Sequence, residues 1–207
     1  YDPIITTARY RDRYARGGIA GRIVDVMPNA TWRGDMELVE DEDPQTDTAF
    51  EQAWDELDTR LQIRAKLQRV DKLAGLSSYA VLLLGAPGDL SVELPRGMSD
   101  QLAYLMPFLG GGGPSGNRNA RVLAVDADCS IAAFDLDTTS PRFGLPLSYN
   151  LRRTDLSSPD FQRAVHWTRI IHVAEGVLDD EVYGLPSLER VWNLLDDLDK
   201  VTGGGAE

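Results

Sequence analysis

The sequence predicts an α+β fold, helices packed around a small mixed β-sheet, on three observations. Residues 50–74 carry apolar side chains at helical spacing: Phe50, Trp54, Leu57 and Leu61, then Ile63, Leu67, Val70 and Ala74. Residues 78–85 form a short continuous apolar run bounded by glycine and proline, the mark of a buried strand. Residues 164–173, Ala-Val-His-Trp-Thr-Arg-Ile-Ile-His-Val, read as a second strand rich in β-branched and aromatic side chains. With 207 residues, 43% of them hydrophobic, the chain can bury one sizeable core.

Taken in order, residues 8–27 read as helix broken at Gly17-Gly18 and stopped by Pro28. Tyr10 and Tyr14 sit one turn apart, and Ile19, Ile23 and Met27 repeat every four residues. Arg9, Arg11, Arg13, Arg16 and Arg22 make this the one locally basic stretch, read first as a solvated face or subunit interface. Residues 35–47 concentrate acidic side chains around Pro44, a self-repelling run expected as an exposed loop. Thr48-Ala49-Phe50-Glu51 is a capping box, in which hydroxyl and carboxylate satisfy free backbone donors reciprocally. The two apolar stripes that follow are offset by two residues, which implies a kink or a break within 60–64, and Gly75 ends the element.

Beyond the 78–85 strand, a helical turn is expected over 101–106 and a flexible Gly-rich loop over 110–117. Strands are expected over 121–126 and 130–136, a turn-rich stretch over 140–151, and then the 164–173 strand. A closing helix within 184–201 presents Leu188, Val191, Leu195 and Leu198 on one face. The parts are therefore an N-terminal helical part (8–34), an acidic loop (35–47), helices (48–75), strands with the Gly-rich loop (78–173) and a last helix (184–201). Together, residues 1–207 are expected to form a single region, part of a longer chain, because there is no initial Met and a glycine run follows the last helix.

Charge narrows the function. The net charge is −12, which repels DNA, and the cations are biased to Arg, with only Lys66, Lys72 and Lys200. The planar guanidinium suits forked pairing with carboxylates at interfaces. The longest apolar run, 79–84, is far short of the about 20 residues of a membrane span. Cys129 stands alone, which rules out an intrachain disulfide, and reads as a small buried residue.

Enzyme chemistry does not assemble. No Gly-Lys follows the glycine run, so a phosphate-cradling P-loop is absent, as are Gly-x-Gly-x-x-Gly and Gly-x-Ser-x-Gly. His166-Trp167-Thr168 matches half of a two-histidine phosphoesterase, in which each histidine handles a proton and each hydroxyl holds phosphate oxygen. The other histidine, His172, is followed by Val173-Ala174, so the second half is missing. On one strand the two histidines, six apart, would share a face. Without a third ligand they make no metal site, and a strand histidine bonded to backbone is the plainer reading. Asp126-x-Asp128 and Asp135-x-Asp137 could hold a cation but are ordinary turn chemistry. No cofactor, metal or catalytic residue is expected.

Residue order is more informative than any of these patterns. Arg22-Ile23-Val24-Asp25, Trp32-Arg33-Gly34, Phe143-Gly144-Leu145-Pro146-Leu147-Ser148-Tyr149, His166-Trp167-Thr168-Arg169-Ile170-Ile171-His172 and Tyr183-Gly184-Leu185-Pro186-Ser187-Leu188-Glu189 follow one another along the chain. This order resembles portal proteins of tailed bacteriophages, in particular the portal family that includes the anti-CBASS Acb-like N-terminal domain. The resemblance implies a wing-like fragment of a larger portal fold. It implies a homo-oligomeric ring of twelve at one capsid vertex of the virion, assembled in the host cytoplasm, through which double-stranded DNA passes without sequence-specific binding. The implied partners are the major capsid protein, the terminase and a head-completion or adaptor protein, with no membrane. Arg9, Arg11, Arg13, Arg16, Arg22 and Arg169 are then inter-subunit or DNA-proximal, and Asp179-Asp180-Glu181 structural or interfacial. The alternative is a nucleotide-binding phosphoesterase of an anti-defence system acting through His166 and Thr168.

Overall fold

A computed structural model gives the structure of the chain and describes residues 5–34, 36, 38–40, 48–97, 101–111, 127–153 and 161–204. Its centre is strand β1 (Ala80–Gly85), and the apolar run there is explained by burial on both faces. Ala80 and Leu82 pack toward helix α4 (Ile63–Ala74) with Val70 and Ala74. Val81 and Leu83 point the other way, toward Cys129, Tyr149, Leu151 and Val165 of a second sheet. Period-two alternation thus builds two apolar layers from a single strand.

The α+β class is as expected, and the strands are divided between two three-stranded sheets. In the first, β1 lies between β2 (Tyr104–Leu109) and β6 (Ile170–Val173), antiparallel to both. In the second, β4 (Pro146–Arg153) lies between β3 (Cys129–Phe134) and β5 (Phe161–His166), again antiparallel. A parallel bridge between Gly110 and Cys129 joins them, with Tyr79 Oη donating to the carbonyls of Gly111 and Cys129 at 3.2 Å each. Burial of Cys129 pushes its thiol up to about 12 and leaves it a small apolar filler.

Helices cover the other side. Helix α1 (Thr7–Arg16) and α2 (Gly18–Thr31) break at Gly17 as expected. The last helix, α5 (Trp192–Gly204), packs its Trp192 and Leu195 on Tyr10, Ala20 and Val24. Helix α3 (Ala49–Leu61) starts on the expected capping box, Glu51 N–H donating to Thr48 Oγ1 at 3.2 Å and Thr48 N–H to Glu51 Oε2 at 2.9 Å. It ends where the stripes change phase, at Gln62 with φ +53°. Of the first stripe only Leu61 is fully buried, and Phe50 remains exposed.

Five expectations change. Pro28 lies inside α2, which runs on to Thr31, because only the final turn loses a hydrogen bond there and the ring is buried. Residues 102–106 form no helical turn, the only 3₁₀ position of the 101–106 stretch being 101: strand β2 takes over from Tyr104, its backbone paired with β1 and Leu105, Phe108 and Leu109 buried. The turn-rich stretch ends at Leu145 and is strand from Pro146. The 164–173 strand is two strands in different sheets, separated by a 3₁₀ turn at Trp167–Arg169. The closing helix begins with a 3₁₀ turn, Glu189–Val191, so that its α-helical part starts at Trp192. The 121–126 strand, most of the 110–117 loop and all but residues 36 and 38–40 of the acidic loop lie outside the described residues.

Candidate functional site

The distinctive sequence motifs resolve into two clamps and one groove. His166 ends β5, and its Nδ1 takes the N–H of Thr168 at 3.4 Å, capping the 3₁₀ turn. The Thr168 hydroxyl lies 2.9 Å from the same Nδ1 and accepts the N–H of Leu94 at 2.8 Å. With Nδ1 as acceptor, the hydroxyl proton and one of its two lone pairs are taken up within the chain, which makes Thr168 a structural contact between β5 and residue 94. Arg169 follows, 1% exposed, with Nε, Nη1 and Nη2 donating to the carbonyls of Val92, Ala86 and Pro87 at 2.9, 3.2 and 3.3 Å. His166-Trp167-Thr168-Arg169 therefore fastens residues 86–94 to the sheets. The Arg169 guanidinium is engaged entirely within the chain.

His172 does not share a face with His166, because the two sit in different sheets. Its Nε2 lies 2.7 Å from the Val182 carbonyl and its Nδ1 3.2 Å from Tyr149 Oη, which fits a neutral ring donating through Nε2. It stacks on Tyr79 at 4.7 Å. Burial lowers its pKa below the ordinary 6.5, with the bond to Val182 opposing that shift. This is the backbone-bonded strand histidine of the plainer reading. The sign of its pH effect follows: the unfolded chain binds a proton near pH 6.5 more readily than the folded one, so stability falls as pH drops below that value. Urea midpoints measured across this range should fall toward acid in the wild type, and His172→Gln should flatten that limb.

The second clamp is Tyr183-Gly184-Leu185-Pro186-Ser187. Gly184 N–H donates to the Ser78 carbonyl at 2.7 Å, Leu185 N–H to Glu175 at 2.8 Å and Ser187 N–H to Gly75 at 2.8 Å. Ser187 Oγ donates to Glu175 Oε2 at 2.9 Å, and burial raises the Glu175 pKa. Asp135 and Asp137 are turn-formers: Asp135 Oδ1 accepts from Asp137 N at 3.0 Å, and Asp137 Oδ1 from Thr139 N at 2.9 Å. Among the described residues no three His, Cys, Asp or Glu side chains group as metal ligands.

The groove lies between α1, the start of α2 and α5, with a volume of about 640 Å³. Trp192 forms its floor, edge-on to Tyr10 at 5.3 Å, while Tyr10 Oη donates to Glu189. Arg13 lies over the same indole at 4.6 Å and forks to Asp196 and, at 2.7 Å, to Asp199. The two carboxylates are one helical turn apart, the spacing a guanidinium fork spans. Arg9 approaches the indole at 5.3 Å. Arg11, Arg16 and Arg22 are exposed and have no partner among the described residues. Arg16 and Arg22 also border a shallower depression of about 420 Å³ beside Asp25 and Asn29. The five N-terminal arginines therefore divide: Arg13 ties α1 to α5, Arg9 lies against Trp192, and Arg11, Arg16 and Arg22 face outward.

Sequence reasoning did not identify Trp192, Glu189, Asp196 and Asp199 as the wall opposite the arginines. The Asp196/Asp199 spacing on a predicted helix was the available signal. Compared with known families, residues 9–207 match the model described as phage portal protein. No curated protein matches the chain.

Proposed function

The chain belongs to the phage portal protein family, and from that membership we propose that it is a structural subunit of a portal ring of twelve at the capsid vertex, contributing to its outer wing. The observation that carries this reading is the family match over residues 9–207, nearly the whole chain. The ring forms the channel through which DNA is packaged and ejected. Terminase docks on it during packaging, head-completion and tail proteins afterwards, and the major capsid protein surrounds it. It is assembled in the host cytoplasm and retained in the virion. A net charge of −12 suits this role, since an acidic wall lets duplex DNA slide without adhering. The outward arginines Arg11, Arg16 and Arg22 serve contacts between subunits, which in an acidic chain are the nearest source of carboxylates.

The test is the mass of the assembled protein. Native mass spectrometry of the full-length protein should give one large annular species of about a dozen copies, visible as rings by negative stain. A clean monomer at micromolar concentration overturns the reading.

A further inference from the structure

Resting on the ring reading above, we infer that the α1/α2/α5 groove receives residues 177–181 of a neighbouring copy. A ring with one subunit type is held by head-to-tail contacts, so each chain must carry two different, complementary patches. The groove is one of them. Its apolar parts are Trp192, Leu195, Leu198 and Ile19, with Leu198 38% and Ile19 55% exposed. Three arginines, Arg9, Arg13 and Arg16, meet three carboxylates there, Asp12, Asp196 and Asp199, and Arg13 takes up the last two. Of these arginines Arg16 is exposed and has no partner among the described residues.

The complementary patch is the loop after β6. Gly176, at φ +62°, turns the backbone outward, and Leu178 behind it is 92% exposed, the most exposed large apolar side chain among the described residues. Asp179, Asp180 and Glu181 follow directly. Asp180 holds the loop by accepting the N–H groups of Val182 and Tyr183 at 2.8 and 3.1 Å. Asp179 and Glu181 are exposed and have no partner among the described residues. Leu136, the next most exposed, is flanked by Asp135 and Asp137, whose carboxylates are already engaged in their own turn. The 177–181 loop therefore pairs an exposed leucine with two free carboxylates, and the groove, whose Trp192 and Leu195 are buried, pairs the exposed Ile19 and Leu198 with the unpartnered Arg16. Apolar contact beside a complementary charged pair is a usual make-up of a specific interface.

Cross-linking tests this directly. Ile19→Cys and Leu178→Cys replace exposed side chains, Cys129, the one cysteine of these 207 residues, is 1% exposed, and the wild type oxidised in parallel sets the background. When the two single variants of the full-length protein are co-assembled and oxidised, covalent dimers should exceed those from either variant alone by about tenfold or more, because docking raises the effective thiol concentration. Arg16→Glu should lower the fraction of protein in rings, and adding Asp179→Arg on the same chain should restore it. Rings that form with no covalent dimers and no charge-swap rescue overturn the docking while leaving the ring intact. A wild type that stays monomeric by native mass overturns the ring and the docking with it. Duplex DNA retained by wild-type rings and released by Arg16→Glu, without covalent dimers, assigns the groove to DNA and likewise overturns the inference.

Discussion

Gly184→Ala should destabilise the protein by about 3 kcal/mol or more, about 6–12 °C in Tm for a chain of this size. A methyl group at position 184 would lie 1.8 Å from the Glu175 carbonyl oxygen, 2.8 Å from its carbon and 3.0 Å from its nitrogen. All three are backbone atoms and cannot rotate away. The chain must separate there, which breaks the Gly184 to Ser78 and Leu185 to Glu175 bonds, and Ser187 with Gly75 is next in line. Each such bond contributes about 1 kcal/mol. Gly203→Ala is the matched control: nothing lies within 4 Å of its added methyl, so helix propensity alone acts, with a gain of up to about 1 kcal/mol. Urea or thermal unfolding of both variants decides it. Equal midpoints for Gly184→Ala and the wild type would sink the clamp.

That clamp marks the boundary between what the sequence discloses and what it withholds. Local rules recovered the helices: the Thr48/Glu51 box, the phase change before Ile63 and the stop at Gly75 each depend on residues within one or two turns. The buried strand β1 was legible because a strand covered on both faces must be apolar throughout. The sheet switch at Trp167 was not, since the side chains on either side of it suit a strand equally and no glycine or proline marks the turn. The groove was half legible. The arginines stand out by composition, yet Arg13 meets its carboxylates 183 and 186 positions away, and nothing local predicts that closure. The same holds for His166-Trp167-Thr168, whose catalytic look came from residue types while its hydrogen bonds reach back to Leu94.

The other large effect is expected at Arg169. At 1% exposure its guanidinium is accommodated because three carbonyls solvate it in place of water. The Asp89 carboxyl is held below its ordinary pKa by its bonds to Ser91, with the nearby guanidinium adding a smaller push in the same direction. Arg169→Met keeps the volume and removes every donor. Charge-assisted bonds are worth about 1.5–3 kcal/mol each, but Pro87 and Val92 lie on an exposed loop where water can replace part of the loss, so a net cost of about 3 kcal/mol is expected. Arg169→Lys, a single ammonium in place of a fork, should fall between the two. The distinguishing readout is local: the Leu94 amide, bonded to Thr168 Oγ1, and the His166 amide, bonded to the Leu90 carbonyl, should lose hydrogen-exchange protection in Arg169→Met. Protection retained at both amides would mean that the 86–94 segment is held by something other than this arginine. If protection is lost, any assembly defect in the variant should track its loss of stability, as expected of a residue that acts through the fold and not at the surface.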